Sequence, residues 1–194
     1  AEAPQALLSV LPHMQWAPWL VSNLLLDGPL EDRAGAPPAW DNVLHDGAGL
    51  GYVVATHQQL RIRPGATVIT YYRAFAEPDS RAARQRLLDT THATWAREIL
   101  GELSMPHPEL REITTRLDVF RHGHAMIRPL PGVLWGERSP RAQLGKAYGR
   151  IRLAHADLSG MSLFEEANYR GVLAAEQAMT ALGIRHSSSL RPAA

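Results

Sequence analysis

The residues with the clearest chemical potential lie between Asp157 and Gly171. An acidic residue ends a predicted strand, a loop containing Ser162 follows, and a helix begins near Phe164. A carboxylate accepts hydrogen bonds from sugar-like hydroxyls. The leading N–H groups of a helix carry a partial positive charge that suits an electron-rich oxygen. The segment therefore predicts a binding site for a ligand that presents hydroxyl and carbonyl groups.

Small residues recur along one side of the same helix. Ala167, Gly171, Ala174 and Ala175 follow one another at helical spacing. Such a face lets a helix approach another backbone, or a flat ligand, closely. Each feature also has an ordinary structural explanation, since an acidic residue before a helix is a common N-cap and small residues on a helix face usually serve packing.

The order of these residues resembles the flavin amine oxidase and phytoene desaturase superfamily. Its last FAD-contacting segment reads Phe-Ala-Gly-x-Glu/Asp, then a glycine-bearing loop, then Gly-Ala-x-x-x-Gly-x-x-Ala-Ala. Here residues 153–157 read Leu-Ala-His-Ala-Asp, and residues 166–175 read Glu-Ala-Asn-Tyr-Arg-Gly-Val-Leu-Ala-Ala. Residues 16–24 and 122–132 are similar to the substrate-domain sheet of a bacterial branch of this superfamily.

The resemblance implies specific cofactor contacts. Asp157 would contact the ribityl or pyrophosphate region of FAD, and the backbone N–H groups at the helix start would lie near the flavin pyrimidine edge. Gly171 and Ala175 would allow close helix packing. The implied cofactor-binding residues are Asp157, Ser162, Phe164, Glu165, Ala167 and Gly171.

The implied activity is hydride transfer from a C–N or C–C bond to the flavin, with oxygen or a quinone reoxidising it. Family members bind the ADP half of FAD with an amino-terminal strand, Gly-x-Gly-x-x-Gly and helix. The nearest pattern here, at residues 46–51, does not continue into a convincing helix. We therefore expect the chain to be the carboxy-terminal portion of an oxidoreductase. Its partners would be an N-terminal FAD-binding portion, on the same or a separate chain, and a small-molecule substrate.

Two departures from the family bear on the chemistry. Many amine oxidases place a lysine near the position of residues 17–19, and none is present here. Leu163 also stands where many carry an aromatic wall for the substrate amine, a role that Phe164 or Trp135 would have to fill. No catalytic residue is assigned. His124 and Arg128 are candidates to face the substrate cavity.

Two other functions remain open from the sequence. His122 and His124 alternate on a predicted strand and so share a face. With His155 or Asp157 they would complete a three-ligand metal site, which would make the protein a metal-dependent enzyme. Alternatively, the chain is a binding or structural portion of a flavin-family fold that no longer catalyses.

Composition narrows the possible functions. The chain has 194 residues, no cysteine and a net charge of +1. It therefore has no disulfides or cysteine-ligated metal, and its charge does not indicate a nucleic-acid surface. Lys146 is the only lysine, whereas arginine is abundant. No apolar run is long enough to span a membrane, and localisation in a bacterial cytoplasm or periplasm is left open.

The elements that would position these residues indicate an α+β fold. We expect a mixed substrate-domain sheet with a helix over residues 79–103, whose buried face carries Leu88, His92, Trp95, Ile99 and Leu103. Residues 28–48 read as a loop. A final strand and helix, over 150–156 and 162–182, would belong to a Rossmann-like FAD-binding layer. The other expected strands cover residues 19–26, 49–57, 66–75 and 113–120. We expect residues 1–130 to belong to a substrate domain, residues 131–186 to the FAD-binding domain and residues 187–194 to a frayed tail.

Overall fold

The computed structural model describes residues 5–31, 39–56 and 65–190. It divides into two compact units. The first, the sheet unit, is Ala17–Ala125, and the second, the terminal unit, combines the residues up to Trp16 with those from Met126 onward. The assignment of residues 1–130, 131–186 and 187–194 to a substrate domain, an FAD-binding domain and a frayed tail stays a prediction.

An open five-stranded sheet confirms the α+β prediction. Its strands are β1 (Trp16–Leu26), β2 (Asp41–Val43), β3 (Gly51–Val54), β4 (Thr67–Ala74) and β5 (Thr114–Ile127). The spatial order is β2-β3-β4-β1-β5. The pairs β2–β3, β3–β4 and β4–β1 are antiparallel. Strand β2 lies within the stretch predicted to be a loop, and β5 extends seven residues beyond the predicted end at Phe120.

Alternation along the strands fixes which face of this sheet is buried. Leu20, Leu24 and Leu26 of β1 are buried, whereas the odd-numbered residues between them are half-buried. Successive side chains of a strand point to opposite faces, so this pattern defines a single covered face. The core of the sheet unit on that face is Leu20, Leu24, Leu26, Tyr52, Ile69, Tyr71, Phe75, Ala83, Leu87, Trp95, Ile99, Leu103 and Leu110.

The helices are α1 (Gln5–Leu8), α2 (Ser80–Asp89), α3 (His92–Leu103), α4 (Leu110–Ile113), α5 (Pro140–Leu144) and α6 (Phe164–Ala181). A single helix over 79–103 is therefore wrong. The chain is extended at Thr90 and Thr91, and the Thr91 hydroxyl caps α3 by accepting the Thr94 N–H. Because of this break, residues of α2 and α3 no longer share one continuous helical spacing.

This phase change alters which residues the two helices bury. Trp95, Ile99 and Leu103 of α3 are buried as predicted, but α2 buries Leu87 and leaves Leu88 exposed. His92, the first residue of α3, is also exposed. The predicted apolar face is thus correct for Trp95, Ile99 and Leu103 and wrong for Leu88 and His92.

The terminal unit has a smaller core of its own. Val10, Met14, Ile127, Val133, Leu144 and Leu158 are its buried members. The predicted strand 150–156 is wrong, because this stretch contains only an isolated bridge between Tyr148 and Ile151. A left-handed turn at Gly149, with φ +61°, precedes it. Residues 152–154 have no neighbouring strand in the described part of the unit, so no ladder of hydrogen bonds forms.

Helix α6 confirms the predicted final helix. Its C-terminus closes at Gly183, whose φ of +71° is the left-handed conformation that glycine favours. The Ile184 N–H donates to the Met179 carbonyl at 2.9 Å and the Gly183 N–H to the Thr180 carbonyl at 3.1 Å, which is a Schellman motif. Among the described helices, including α6, none combines the length and apolarity needed to cross a bilayer.

Candidate cofactor-binding site

Asp157 lies in a short 3₁₀ helix, Ala156–Ser159, rather than at the end of a strand. Its Oδ2 accepts the indole N–H of Trp16 at 2.7 Å. Its side chain is 19% exposed, so the carboxylate is held in place yet reachable from solvent. A carboxylate has two oxygens and about four acceptor positions, so Asp157 keeps the capacity to accept another hydrogen bond.

His155 is the second neighbour of this carboxylate. Its Nδ1 lies 3.2 Å from Asp157 Oδ1 and also 3.2 Å from the Asp157 backbone nitrogen. Nδ1 accepts the backbone N–H when it carries no hydrogen and donates to the carboxylate when it carries one, so one of the two contacts is a hydrogen bond at a time. The His155 side chain is largely exposed.

The 3₁₀ helix that carries Asp157 is fastened to α6. Arg170 of α6 donates from Nε to the Ser159 hydroxyl at 2.8 Å. Gly160 ends the 3₁₀ helix with φ +70°, and a Cβ added there would lie 2.1 Å from a Leu134 methyl carbon. Both the conformation and the space therefore require glycine. These contacts hold Asp157 and α6 as one local arrangement.

The start of α6 presents backbone donors to its surroundings. The N-cap residue is Leu163, which supplies no side-chain cap. In the described part of the chain no group accepts the backbone N–H groups of Phe164, Glu165 or Glu166. Phe164 is 77% exposed and Leu163 is also exposed. The first turn is thus an accessible set of hydrogen-bond donors, as the sequence predicts.

Charge at this helix start restricts what it can bind. Glu165 and Glu166 both lie in the first turn. Their carboxylates stabilise the helix by opposing its positive end, and they would repel a phosphate. The N–H groups therefore suit a neutral carbonyl oxygen better than an anion.

Ser162 has a different contact from the one predicted. Its hydroxyl oxygen accepts the Ile127 backbone N–H at 3.0 Å, so it secures the end of β5. Ala167 is exposed and completes the first turn by donating its N–H to the Leu163 carbonyl. A Cβ added at Gly171 meets no described atom within 4 Å. A side chain at Gly171 would therefore meet open space, and the close packing of the small-residue face stays a prediction.

The remaining candidates are not among these contacts. His122 and His124 are exposed on β5. No group of three or more His, Asp or Glu side chains that could hold a metal ion occurs within residues 5–31, 39–56 and 65–190, and a metal site that joins these histidines to His155 or Asp157 stays a prediction. The Arg128 backbone N–H donates to the Gln15 carbonyl at 2.8 Å. Trp135, the possible substitute aromatic wall, is 81% exposed and lies 6.0 Å from the Arg141 guanidinium.

The glycine loop at residues 46–51 binds a carboxylate of the protein itself. Glu102 accepts the N–H groups of Ala48 at 3.2 Å and Gly49 at 2.9 Å, and the Tyr71 hydroxyl at 3.1 Å. A Cβ at Gly47 would collide with Glu102, and one at Gly49 with the Tyr71 ring. The glycines therefore leave space for the Glu102 carboxylate and the Tyr71 ring, which occupy this loop from inside the protein.

Sequence reasoning missed the Trp16–Asp157 hydrogen bond. The two residues are 141 positions apart, and no local pattern joins them. The available signal was the indole itself, which usually finds an acceptor when buried. Comparison with known proteins gives no further guidance, since neither a family model nor a curated protein matches the chain.

Proposed function

We propose that this chain is the carboxy-terminal portion of an FAD-dependent oxidoreductase of the amine-oxidase type, with the flavin edge at the start of α6. The observation that carries the proposal is the exposed first turn of α6. Its three leading N–H groups have no acceptor in the described chain. The 3₁₀ helix that carries the restrained carboxylate Asp157 is hydrogen-bonded to the same helix through Ser159 and Arg170. This combination offers donors to a carbonyl and an acceptor to a hydroxyl.

The chemistry of these groups fits FAD. The isoalloxazine pyrimidine ring presents neutral carbonyl oxygens, which suit helix-start donors whose neighbours, Glu165 and Glu166, disfavour anions. The ribityl chain presents hydroxyls, which suit the remaining acceptor capacity of Asp157.

When bound, FAD would supply a hydride acceptor for a C–N or C–C bond of the substrate. The chain would contribute binding and orientation. The N–H groups of Phe164 and Glu165 would hold the pyrimidine edge, and Asp157, itself oriented by Trp16, would hold the ribityl chain. With no assigned base, His124 and Arg128 remain candidates for substrate contact, and the rate would rest mainly on positioning.

Helix α6 supports the expectation of an N-terminal partner portion. None of its eighteen residues is buried. Isolated helices of this length are only marginally stable in water and normally rely on packing. The face carrying Gly171 and Ala174 has the small residues that close packing requires, so a partner that supplies the dinucleotide-binding half of the fold would cover it.

The test is a visible spectrum of the protein purified from its source organism through a tag on this chain. We expect flavin absorption bands. Asp157→Asn should weaken FAD retention roughly tenfold or more, since a hydrogen bond to a charged group contributes about 1.5–3 kcal/mol. Asp46→Asn, which changes an exposed carboxylate elsewhere, should retain FAD as the unmodified protein does.

Two results would overturn the proposal. A colourless complex in which all partner polypeptides are present would favour the non-catalytic binding portion instead. A coloured complex that loses flavin equally in the Asp157 and Asp46 variants would place the flavin away from α6.

A further inference from the structure

A concave surface lies in the terminal unit, along the C-terminal half of α6. This α6 groove has a volume of about 760 Å³, which is within the size range of small-molecule sites. Its polar lining residues include Lys146, Arg152, Glu176, Thr180, His186 and Ser188. The groove begins at Leu173, nine residues into the helix. At 1.5 Å per residue, that is about 13 Å from the proposed flavin edge.

Two cations line this groove without a carboxylate partner in the described chain. The Lys146 ammonium donates to the Gln143 side-chain oxygen at 2.9 Å. The Arg152 guanidinium donates from Nη1 to the carbonyls of Gly149 and Ile151, at 2.8 and 3.2 Å. These neutral acceptors orient the side chains and leave their charges uncompensated. Arg152 also keeps its remaining N–H donors available.

Among the described lining residues the groove has one carboxylate, Glu176, and this group already accepts two hydrogen bonds. Glu176 accepts the Ser188 hydroxyl at 2.9 Å and the Ser189 backbone N–H at 2.6 Å. These bonds tie residues 188–189 to α6, where a frayed tail was predicted, and they bring His186 to the groove wall. Residues 191–194 of that tail lie outside the described part. Glu176 therefore holds residues 188–189 against α6, and its single negative charge is outnumbered by the two cations, Lys146 and Arg152.

At the end of α6 the carbonyls of Ala178, Met179 and Thr180 already accept the N–H groups of Leu182, Gly183 and Ile184. The groove combines one planar guanidinium, one ammonium, one imidazole and one carboxylate around a space of ligand size.

From this arrangement we infer that the α6 groove binds a small phosphate-bearing molecule. Arginine binds phosphate oxygens in pairs, and lysine adds a compact point charge. The inference does not rest on the proposed flavin function, because the groove residues differ from those at the start of α6.

The test uses the 194-residue chain labelled with isotope-enriched lysine and titrated with pyrophosphate. Lys146 is the only lysine, so a single side-chain NMR signal reports on the groove. We expect a saturable shift of that signal with pyrophosphate and no comparable shift with sodium chloride at the same ionic strength. Arg152→Gln should weaken the apparent affinity about tenfold, as loss of one charge-assisted bond implies.

The matched control is Arg150→Gln, which removes the same charge from an exposed residue outside the groove and should change the affinity less than twofold (about 0.4 kcal/mol). His186→Gln is a second groove variant, and its apparent affinity for pyrophosphate is measured in the same way if Arg152→Gln does not fold. The inference fails if pyrophosphate leaves the lysine signal unmoved, or if folded groove variants bind as tightly as the Arg150 control.

Discussion

The sheet unit and helix α6 are built in opposite ways. The sheet unit buries a continuous set of large side chains, and Trp95 is only 1% exposed. Helix α6 is the longest described helix and buries no residue. Burial of apolar surface is the main source of folding stability. The sheet unit therefore has a continuous apolar interior, whereas every residue of α6 keeps part of its surface exposed.

The largest expected effect that separates the two regions is in the core. Trp95→Ala should lower the free energy of unfolding by about 3–5 kcal/mol, because it removes a large buried ring that packs against Phe75. Phe164→Ala in α6 should change it by less than about 0.5 kcal/mol, as is usual for exposed residues. Urea unfolding measures both. Equal losses would show that α6 is as deeply packed as the core.

The next effect concerns the carboxylate that holds the glycine loop. Glu102→Ala should cost about 2–3 kcal/mol, since it leaves three donors without their acceptor. The matched control is Glu98→Ala on the same helix, which breaks a partly exposed ion pair with Arg73 and should cost about 0–1 kcal/mol. If the two variants unfold at the same denaturant concentration, the hydrogen bonds to Glu102 contribute no more to the free energy of unfolding than the exposed ion pair of Glu98 does.

Alkaline pH should act on the sheet unit through Tyr71. Burial, and then the Glu102 carboxylate, raise the pKa of the Tyr71 hydroxyl well above its ordinary value of 10.0. Because the folded-state pKa is raised, the stabilisation is complete below pH 10.0 and is lost as the pH rises towards the folded pKa. The free energy of unfolding should fall by about 1.4 kcal/mol per pH unit in this window.

Tyr71→Phe is the control for that pH dependence. It removes the ionisable group, so this part of the slope should disappear between about pH 10 and about pH 11. Denaturant unfolding at several pH values measures the slope. An unchanged slope in the variant would assign the alkaline loss to another group, such as Tyr72, whose pKa burial and its hydrogen bond to Asp41 raise to about 12.

The smallest expected effect lies in α6 itself. Gly171→Ala should stabilise the chain by about 0.5–1 kcal/mol, because alanine has the higher helix propensity and its Cβ meets open space. Gly101→Ala in α3, also with open space around its Cβ, should behave alike in thermal unfolding of the chain. The two positions should differ once a partner covers α6, when Gly171→Leu blocks association and Gly101→Leu does not.

Local patterns predicted the parts of the fold that local forces determine. An apolar run that ends in a turn located β1, and β-branched and aromatic residues located β4. The spacing of Trp95, Ile99 and Leu103 located the buried face of α3. The helical spacing of apolar residues did not predict the break at Thr90 and Thr91, where the Thr91 hydroxyl caps a new helix. The sequence pattern failed also at 150–156, where an apolar alternation has no neighbouring strand to pair with in the described chain.

The candidate site was only partly predictable for the same reason. The helix start and the position of Asp157 before it follow from sequence order and turn chemistry. The indole of Trp16 on that carboxylate, and Ser162 on the end of β5, depend on long-range contacts that no spacing encodes. The close packing of the small-residue face stays a prediction.

Hydrogen exchange at the first turn of α6 tests the central claim most directly. The claim is that the backbone N–H groups of Phe164, Glu165 and Glu166 bind the flavin edge. They should exchange at nearly the intrinsic rate in the chain alone and become protected in the FAD-containing protein, while exposed amides such as that of Asp46 stay unchanged. Fast exchange of all three amides with FAD fully bound would contradict the account.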